Sequence, residues 1–276
     1  MTIGDGVDGD CVSVVVPTYN SARTLPACLE ALRAQKYPYT EILVVDNYSQ
    51  DATGSIAVSF GANLIFHRGT QSAARNEGLA HSDGRFVLFV DSDQQLEAGA
   101  IEECVSLCSS NAVDAVKVPE IFVGADFWGR CSALWKNSMI KTWGPKGGIP
   151  RFYRKKVLLD RMAFNDELRW GEDLELYHRL KSKGLKDVWC KSHVFHYEAG
   201  SLQNAVRKYL SYGRSVNAFR DSQVKTPIVL IFSLAFSTLA RILKNSDVSA
   251  SVLLGCLFLI TVKGGSAALG FLSRAG

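Results

Sequence analysis

An α/β fold, with a mostly parallel sheet flanked by helices and an apolar helical hairpin at the C-terminal end, is predicted by three observations. Apolar runs of strand length, rich in β-branched and aromatic residues, recur along the chain. They are nearly continuous rather than alternating, as in strands covered on both faces. Segments of helical period separate them, which implies right-handed βαβ units.

The elements follow in order. VSVVVP (Val12 to Pro17) is the first strand, and Ser21 to Ala34 the first helix, with Leu25, Cys28, Leu29 and Leu32 on its apolar face. EILVV (Glu41 to Val45) leads to a helix over Asp51 to Phe60, and NLIF (Asn63 to Phe66) to one over Gln71 to His81. FVLFV (Phe86 to Val90) is the fourth strand, and all four are expected to be buried on both faces. From Val113 to about Tyr153 the pattern loosens into short apolar pieces broken by Gly and Pro, among them Phe122, Phe127, Trp128, Trp135 and Trp143. GPKGGIPRFYRK reads as a loop entering a strand. A helix carrying Leu174, Leu176, Tyr177 and Leu180 then stops at Gly184, and the strand-like DVWC and SHVFHYE follow.

The composition changes near residue 200. Arg207, Lys208, Arg214, Arg220 and Lys225 precede two apolar stretches, Thr226 to Ala240 and Val248 to Val262, linked through LKNSD. Each stretch is shorter than the roughly 20 residues that cross a bilayer straight. Extended to Leu272, they make a thin or tilted membrane-associating hairpin. Two core helices of a soluble domain are the alternative. Three units result: a catalytic domain over residues 1–200, a basic juxtamembrane segment over 201–225 and the hairpin over 226–276.

Composition bounds the function. Of 276 residues, 47% are apolar and 21% charged, so a packed core is expected. The net charge of +4 is mildly basic, which suits anionic ligands or an acidic membrane surface, and without a dense Lys/Arg tract no nucleic-acid partner is expected. Seven cysteines, odd in number and without a CxxC pair, fit free thiols in a reducing compartment. The acidic, Gly-rich start MTIGDGVDGD shows no secretory signal, and cations flank the apolar pair. The expectation is a membrane protein with its catalytic domain on the cytoplasmic face.

Ligands of such sheets bind beyond the carboxyl ends of the strands. PTYNS, DNYSQD, HRGTQSAARN and DSD follow the four strands and so fall on one rim. Neither GxGxxG nor GxxxxGK[ST] occurs. Asp91 and Asp93 end a buried strand, where two carboxylates are costly unless compensated.

These runs, together with FNDELRWGEDLELYHRL, resemble the family 2 glycosyltransferases over roughly residues 11 to 198, in the family's order and spacing. The resemblance implies a GT-A-type, Rossmann-like fold, a nucleotide-sugar donor, a divalent cation (Mn2+ or Mg2+) and inversion at the anomeric carbon. Asp91 and Asp93 match its DxD, which holds the metal against the diphosphate; a turn-forming role is the alternative. Pro17, Thr18 and Tyr19 are implied to lie against base and ribose, with Asp46 accepting from the base; a capped turn is the plainer reading. The family often writes DDGS where this chain has Asp46-Asn47-Tyr48-Ser49. Arg75 is placed on donor phosphate or sugar, or else is an exposed helix cation.

Glu172-Asp173 matches the ED of inverting members, with Asp173 the general base and Glu172 beside it; both also favour a helix N-terminus. Trp170 is a candidate sugar platform. The resemblance implies a histidine as third metal ligand, and His196 fits that place better than His193; a structural histidine is the alternative. Arg207 and Arg214 are expected to hold the phosphate or diphosphate of a polyprenyl-type acceptor; electrostatic docking on the membrane without acceptor contact is the alternative.

The expected function is a membrane-attached inverting glycosyltransferase. It would move a sugar from a nucleotide-sugar, with a UDP-sugar as the expected donor, to a hydroxyl of a lipid-linked saccharide or similar glycan acceptor, with membrane lipids as partners. The alternatives are a polyprenyl-phosphate sugar transferase, which needs no base, and a non-catalytic membrane-bound scaffold.

Overall fold

The computed structural model describes residues 10–110, 112–144, 148–159, 163–198, 200–221, 228–244 and 248–273. The acidic start up to residue 9, Lys225, the first residues of the expected hairpin (Thr226 and Pro227) and Asn245 to Asp247 of its link lie outside them.

The four strands at the N-terminal end are β1 (Val12–Thr18), β2 (Thr40–Asp46), β3 (Asn63–Phe66) and β4 (Phe86–Phe89). Between them run α1 (Leu25–Arg33), α2 (Thr53–Ser59) and α3 (Gln71–Ala80). Beyond them come β5 (Gln94–Leu96), α4 (Ala100–Ser110), β6 (Ala115–Lys117), β7 (Glu120–Gly124), α5 (Phe127–Trp143), β8 (Phe152–Arg154), α6 (Lys155–Leu159), α7 (Glu172–Ser182), β9 (Asp187–Trp189) and β10 (Val194–Glu198). Three helices end the chain: α8 (Leu202–Asp221), α9 (Ile228–Leu243) and α10 (Ala250–Leu272).

The main sheet has the order β3-β2-β1-β4-β8-β6-β9, with β8 antiparallel to both neighbours and its other pairs parallel. A small second sheet, β5-β10-β7, stands beside it. The strand alternation sorts the core into two layers. Val12, Val14 and Val16 pack with Leu25, Cys28 and Leu29 of α1, whereas Val15, Leu43 and Val45 pack with α3 and with Leu176 and Leu180 of α7. Helix α3 lies so close that a Cβ on Gly78 would come within 2.3 Å of Val15.

Two expectations are corrected, and a third segment gains its structure. β3 is an edge strand, and Phe66 on it is 54% exposed rather than buried. The stretch expected as short broken pieces contains a 17-residue helix, α5, started by Asp126, whose side chain accepts from Gly129 N. Its aromatics hid the helical period because they meet several elements: Trp128 faces Phe258 of α10, and Phe127 lies against Gly255. The basic stretch after residue 200 is a helix, α8, laid along α10; Cβ atoms on Gly213 and Gly270 would fall 2.0 Å and 2.1 Å from the partner helix's carbonyl oxygens.

Helices α9 and α10 form the expected apolar pair, and both rest on α5, with Ile242, Cys256 and Leu259 clustered around Cys131. α10 is long and apolar enough to cross a membrane by length and composition. All seven cysteines are free, and six are buried.

Candidate active site

The rim at the carboxyl edge of β1, β2 and β4 is tied together loop to loop. Thr18 Oγ1 donates to Asp46 Oδ1 at 2.9 Å, and Ser49 N donates to Asp46 Oδ2 at 2.9 Å. Asp46 is buried, while Tyr19 is 61% exposed at the mouth; Pro17 lies between them in β1, paired with Val45. Asn20 N donates to Ser49 Oγ, and Asn47 Nδ2 donates to Gly69 O, so the second loop is bound to both neighbours. Tyr48 takes a left-handed conformation, with φ 54°. Its ring packs on Phe66 at 5.5 Å and under Arg68 at 5.0 Å.

Asp91 and Asp93 stand where β4 turns into β5. The turn is closed by Gln94 N donating to Asp91 O and by Asp91 N donating to Gln94 Oε1, both at 2.9 Å. Asp91 Oδ1 accepts from Gln71 Nε2 at 2.8 Å and from Arg75 Nη2 at 2.9 Å. Burial alone would raise the Asp91 carboxyl, but Arg75, followed by Arg151 and His196, holds it well below the ordinary carboxylate range.

His196 reaches the same place because β10 pairs antiparallel with β5, setting His196 opposite Gln94. Its Nε2 is 3.2 Å from Asp93 Oδ2, and its Nδ1 is 2.6 Å from Glu120 Oε1. Burial would lower the imidazole, but hydrogen bonds to Asp93 and Glu120 push it up to about 9. Glu120 also pairs with Arg151 Nη2 at 2.9 Å. Burial works against its charge, but Arg151 and His196 hold it at about 2. His193 is turned away, onto Glu97.

The opposite side of the cleft is the N-terminus of α7. Gly171, with φ 73°, makes the left-handed entry that a side chain would strain. Ser72 Oγ donates to Leu168 O and Thr70 Oγ1 to Asp166 O, so α3 holds the loop before α7. Glu172 is buried and accepts from Arg75 Nη1 at 2.7 Å. Arg75 therefore spans Asp91 and Glu172, with its guanidinium over Phe164; among the described residues its Nε is the buried side-chain polar atom without a partner. Asp173 is exposed, one oxygen accepting from Leu174 N, and it lies within the electrostatic reach of Arg75 and Arg151.

Trp170, just before α7, faces Tyr212 of α8 at 6.4 Å, and Tyr212 faces Tyr209 at 5.4 Å. Arg207 is exposed, and Arg214 Nε reaches Ser273 Oγ at the end of α10. Lys208, next to Arg207, lies instead against the Tyr212 ring, 5.8 Å from its centre. The structure thus adds Gln71, Gln94, Glu120 and Arg151 to the residues picked out from the sequence. Gln94 carried a signal, since it directly follows the DSD run. Glu120 and Arg151 carried none, because they lie in the stretch where periodicity fails.

The model of the family described as glycosyl transferase family 2 matches residues 13–166. Glycosyltransferase AglE of Haloferax volcanii is 39% identical over 218 residues, covering 74% of this chain and 72% of that protein. The chain belongs to glycosyl transferase family 2. A Campylobacter jejuni GalNAc(5)-diNAcBac-PP-undecaprenol β-1,3-glucosyltransferase is 24% identical over 73% of this chain and 71% of its own length. The match to Streptococcus pneumoniae GlyA covers 34% of this chain and only 14% of that protein. The fold is shared with the mannosyltransferase PcManGT from Pyrobaculum calidifontis, solved with GDP-Man and Mn2+: TM-score 0.60, 20% identity, 96% of this chain and 88% of that one. Membership of the family makes this chain a glycosyltransferase, with Asp91, Asp93 and Arg75 inside the matched region and Asp173 and His196 beyond it.

Proposed function

We propose that the protein is a metal-dependent inverting glycosyltransferase that moves a sugar from a nucleotide-sugar to a hydroxyl of a lipid-linked saccharide at the cytoplasmic face of a membrane. One observation carries the reading: Asp91 and Glu172, from opposite sides of one cleft, are bridged by Arg75, which sets the DxD loop opposite the exposed carboxylate of Asp173. The GDP-Man and Mn2+ bound to the mannosyltransferase of like fold support the donor class and the metal. The diphospho-undecaprenol acceptor in the name of the Campylobacter relative supports the acceptor class.

The donor set fits a divalent cation in part. Asp93 Oδ2 and His196 Nε2 converge, and Glu120 fixes the ring through Nδ1, the arrangement in which a carboxylate orients a ligating imidazole. Among the described residues no third His, Cys, Asp or Glu joins them, so diphosphate oxygens and water would complete the sphere. Asp93 and His196 would hold the cation, which would supply positive charge against the departing diphosphate.

The chain's own residues do the rest. Asp91 is kept ionised by Arg75, and Thr18 and Ser49 hold Asp46 for the base. As the acceptor oxygen bonds to the anomeric carbon, its proton passes to Asp173 and the bond to the diphosphate breaks, the diphosphate leaving with the electron pair. Attack from the face opposite the leaving group inverts the centre. Helix α10 docks one face on α5 and α8 and exposes Leu254, Phe258, Leu269 and Leu272, an apolar surface suited to the acyl boundary of a membrane.

The test pairs two variants. Asp173→Asn is expected to lower turnover by roughly 10²-fold or more with donor binding intact. Asp93→Ala is expected to abolish metal-dependent donor binding, read by calorimetry with and without EDTA. Full activity in Asp173→Asn would instead support a phosphate acceptor, and EDTA-insensitive binding in the unmodified protein would remove the metal.

A further inference from the structure

Beside the metal-side residues, a cluster of cations links the catalytic unit to α10. Glu198, at the end of β10, pairs with Lys136 of α5 and accepts from Ser132 Oγ at 2.8 Å. Lys263 of α10, itself buried, donates to that same Ser132 Oγ at 2.9 Å. Lys263 Nζ lies 5.3 Å from the Tyr209 ring, and Lys208 feels the charges of Glu198 and Asp93. Lys136 and Lys208 are the neighbouring cations of Lys263, and Glu198 is its neighbouring carboxylate.

Lys136 pairs directly with Glu198, Lys263 reaches it through Ser132, and His196 Nε2 lies 3.9 Å from Glu198 Oε1, while Asp93 and Glu120 are committed to His196. Lys263 is buried, where positive charge left uncompensated is costly, and an anion is what relieves it. The place of the cluster says which anion. On one side stand Tyr212 and Trp170, leading to Asp173; on the other is α10, with Leu254 and Phe258 exposed. A ligand that meets all three has a sugar, an anionic group and an apolar chain in that order.

We propose that Lys208, Lys263 and Lys136, with Ser132 and Tyr209, form a subsite for the diphosphate of a lipid-linked acceptor, beside the place of the donor's diphosphate at Asp91 and Asp93. The inference deepens the acceptor part of the function proposed above and rests on it. Lysine is a point-charge phosphate binder, and the tyrosine hydroxyls can add donors. The apolar chain would leave along the exposed face of α10, and the sugar would stack on Trp170 and Tyr212.

The test measures binding alone, with the full chain in detergent, so its result is independent of whether transfer is detected. Farnesyl diphosphate and farnesol are titrated against tryptophan fluorescence, with saturating UDP present. The diphosphate is expected to bind at least roughly tenfold tighter than the alcohol. Lys208→Gln and Lys263→Gln are each expected to erode that preference severalfold, Lys208→Gln without a change in melting temperature because its side chain is at the surface. Equal binding of farnesol, displacement of the probe by UDP, or unchanged preference in Lys208→Gln would overturn the subsite. Competition by phosphatidylglycerol vesicles as effective as farnesyl diphosphate would overturn it too, by assigning the cluster to membrane docking. Should Lys263→Gln fail to fold, Lys208→Gln decides.

Discussion

On the donor side of the cleft, Thr18 meets Asp46 across 28 residues of sequence and Asn47 meets Gly69 across 22. On the acceptor side, Arg75 meets Glu172 across 97 residues and Lys263 meets Ser132 across 131. The first side is made by consecutive βα loops, each delivered to the rim by its own strand. The second is made by distant segments that meet only once the sheets and the helical bundle have closed. A change on the donor side should therefore act on ligand affinity with little loss of fold, whereas a change on the acceptor side should act on both.

Arg75 is where that division breaks down most, because it belongs to a donor-side helix and holds carboxylates of both sides. Arg75→Met leaves buried Glu172 and half-buried Asp91 without their cation, and removing one partner of a buried pair costs about 3–5 kcal/mol. Urea unfolding is expected to show that loss, and the double variant Arg75→Met/Glu172→Gln to recover part of it. Equal stability of Arg75→Met and the parent would mean that the two sides are not joined through this residue.

Glu120→Gln comes next. It keeps the shape but removes the negative charge that orients His196, and loss of such a supporting carboxylate typically costs about 10–100-fold in metal affinity. Manganese binding followed by paramagnetic resonance is the measurement. Unchanged affinity would leave His196 outside the metal sphere.

How far each side could be read from sequence follows from the same division. PTYN, DNYS and DSD lie at strand ends, so hydrophobic pattern alone placed them on one rim. β3 matched its expected limits, although its exposure did not, since an apolar run does not say whether a strand lies at an edge. Asp173 and Glu172 were legible as a motif, but not that Glu172 would bond Arg75 instead of facing the cleft. Glu120 and Arg151 acquire their partners only through the pairing of β5, β7 and β10. No local period encodes that pairing.

A smaller effect separates packing from chemistry on the acceptor side. Gly270→Ala would set a Cβ 2.1 Å from the Leu210 carbonyl oxygen, forcing α8 and α10 apart at about 1–3 kcal/mol. Gly264, also in α10, has nothing within 4 Å, so Gly264→Ala is expected to be neutral or stabilising by up to about 1 kcal/mol. Melting temperatures of the two variants, with donor binding as control, check this. A Gly270→Ala protein as stable as Gly264→Ala would show that α10 is not held against α8.

The smallest expected effect lies on the donor side, at Tyr48. A bulky residue at φ 54° is strained by an amount on the order of 1–3 kcal/mol, and glycine would relieve it. Glycine would also lose the ring's contact with Phe66, worth about 0.5–1.5 kcal/mol for an aromatic pair, and the cation of Arg68 above it. The freer unfolded chain takes back roughly another 0.4–1 kcal/mol. These terms nearly cancel, so Tyr48→Gly is expected to change unfolding free energy by about 1 kcal/mol or less. The ring is 46% exposed beside the loop that presents Asp46, so its effect should fall on the ligand. KM for the nucleotide-sugar is expected to rise severalfold with kcat unchanged, and discrimination between nucleotides to narrow. A stability loss above about 2 kcal/mol with unchanged KM would make Tyr48 a structural residue, and the donor side would then depend on its packing much as the acceptor side does.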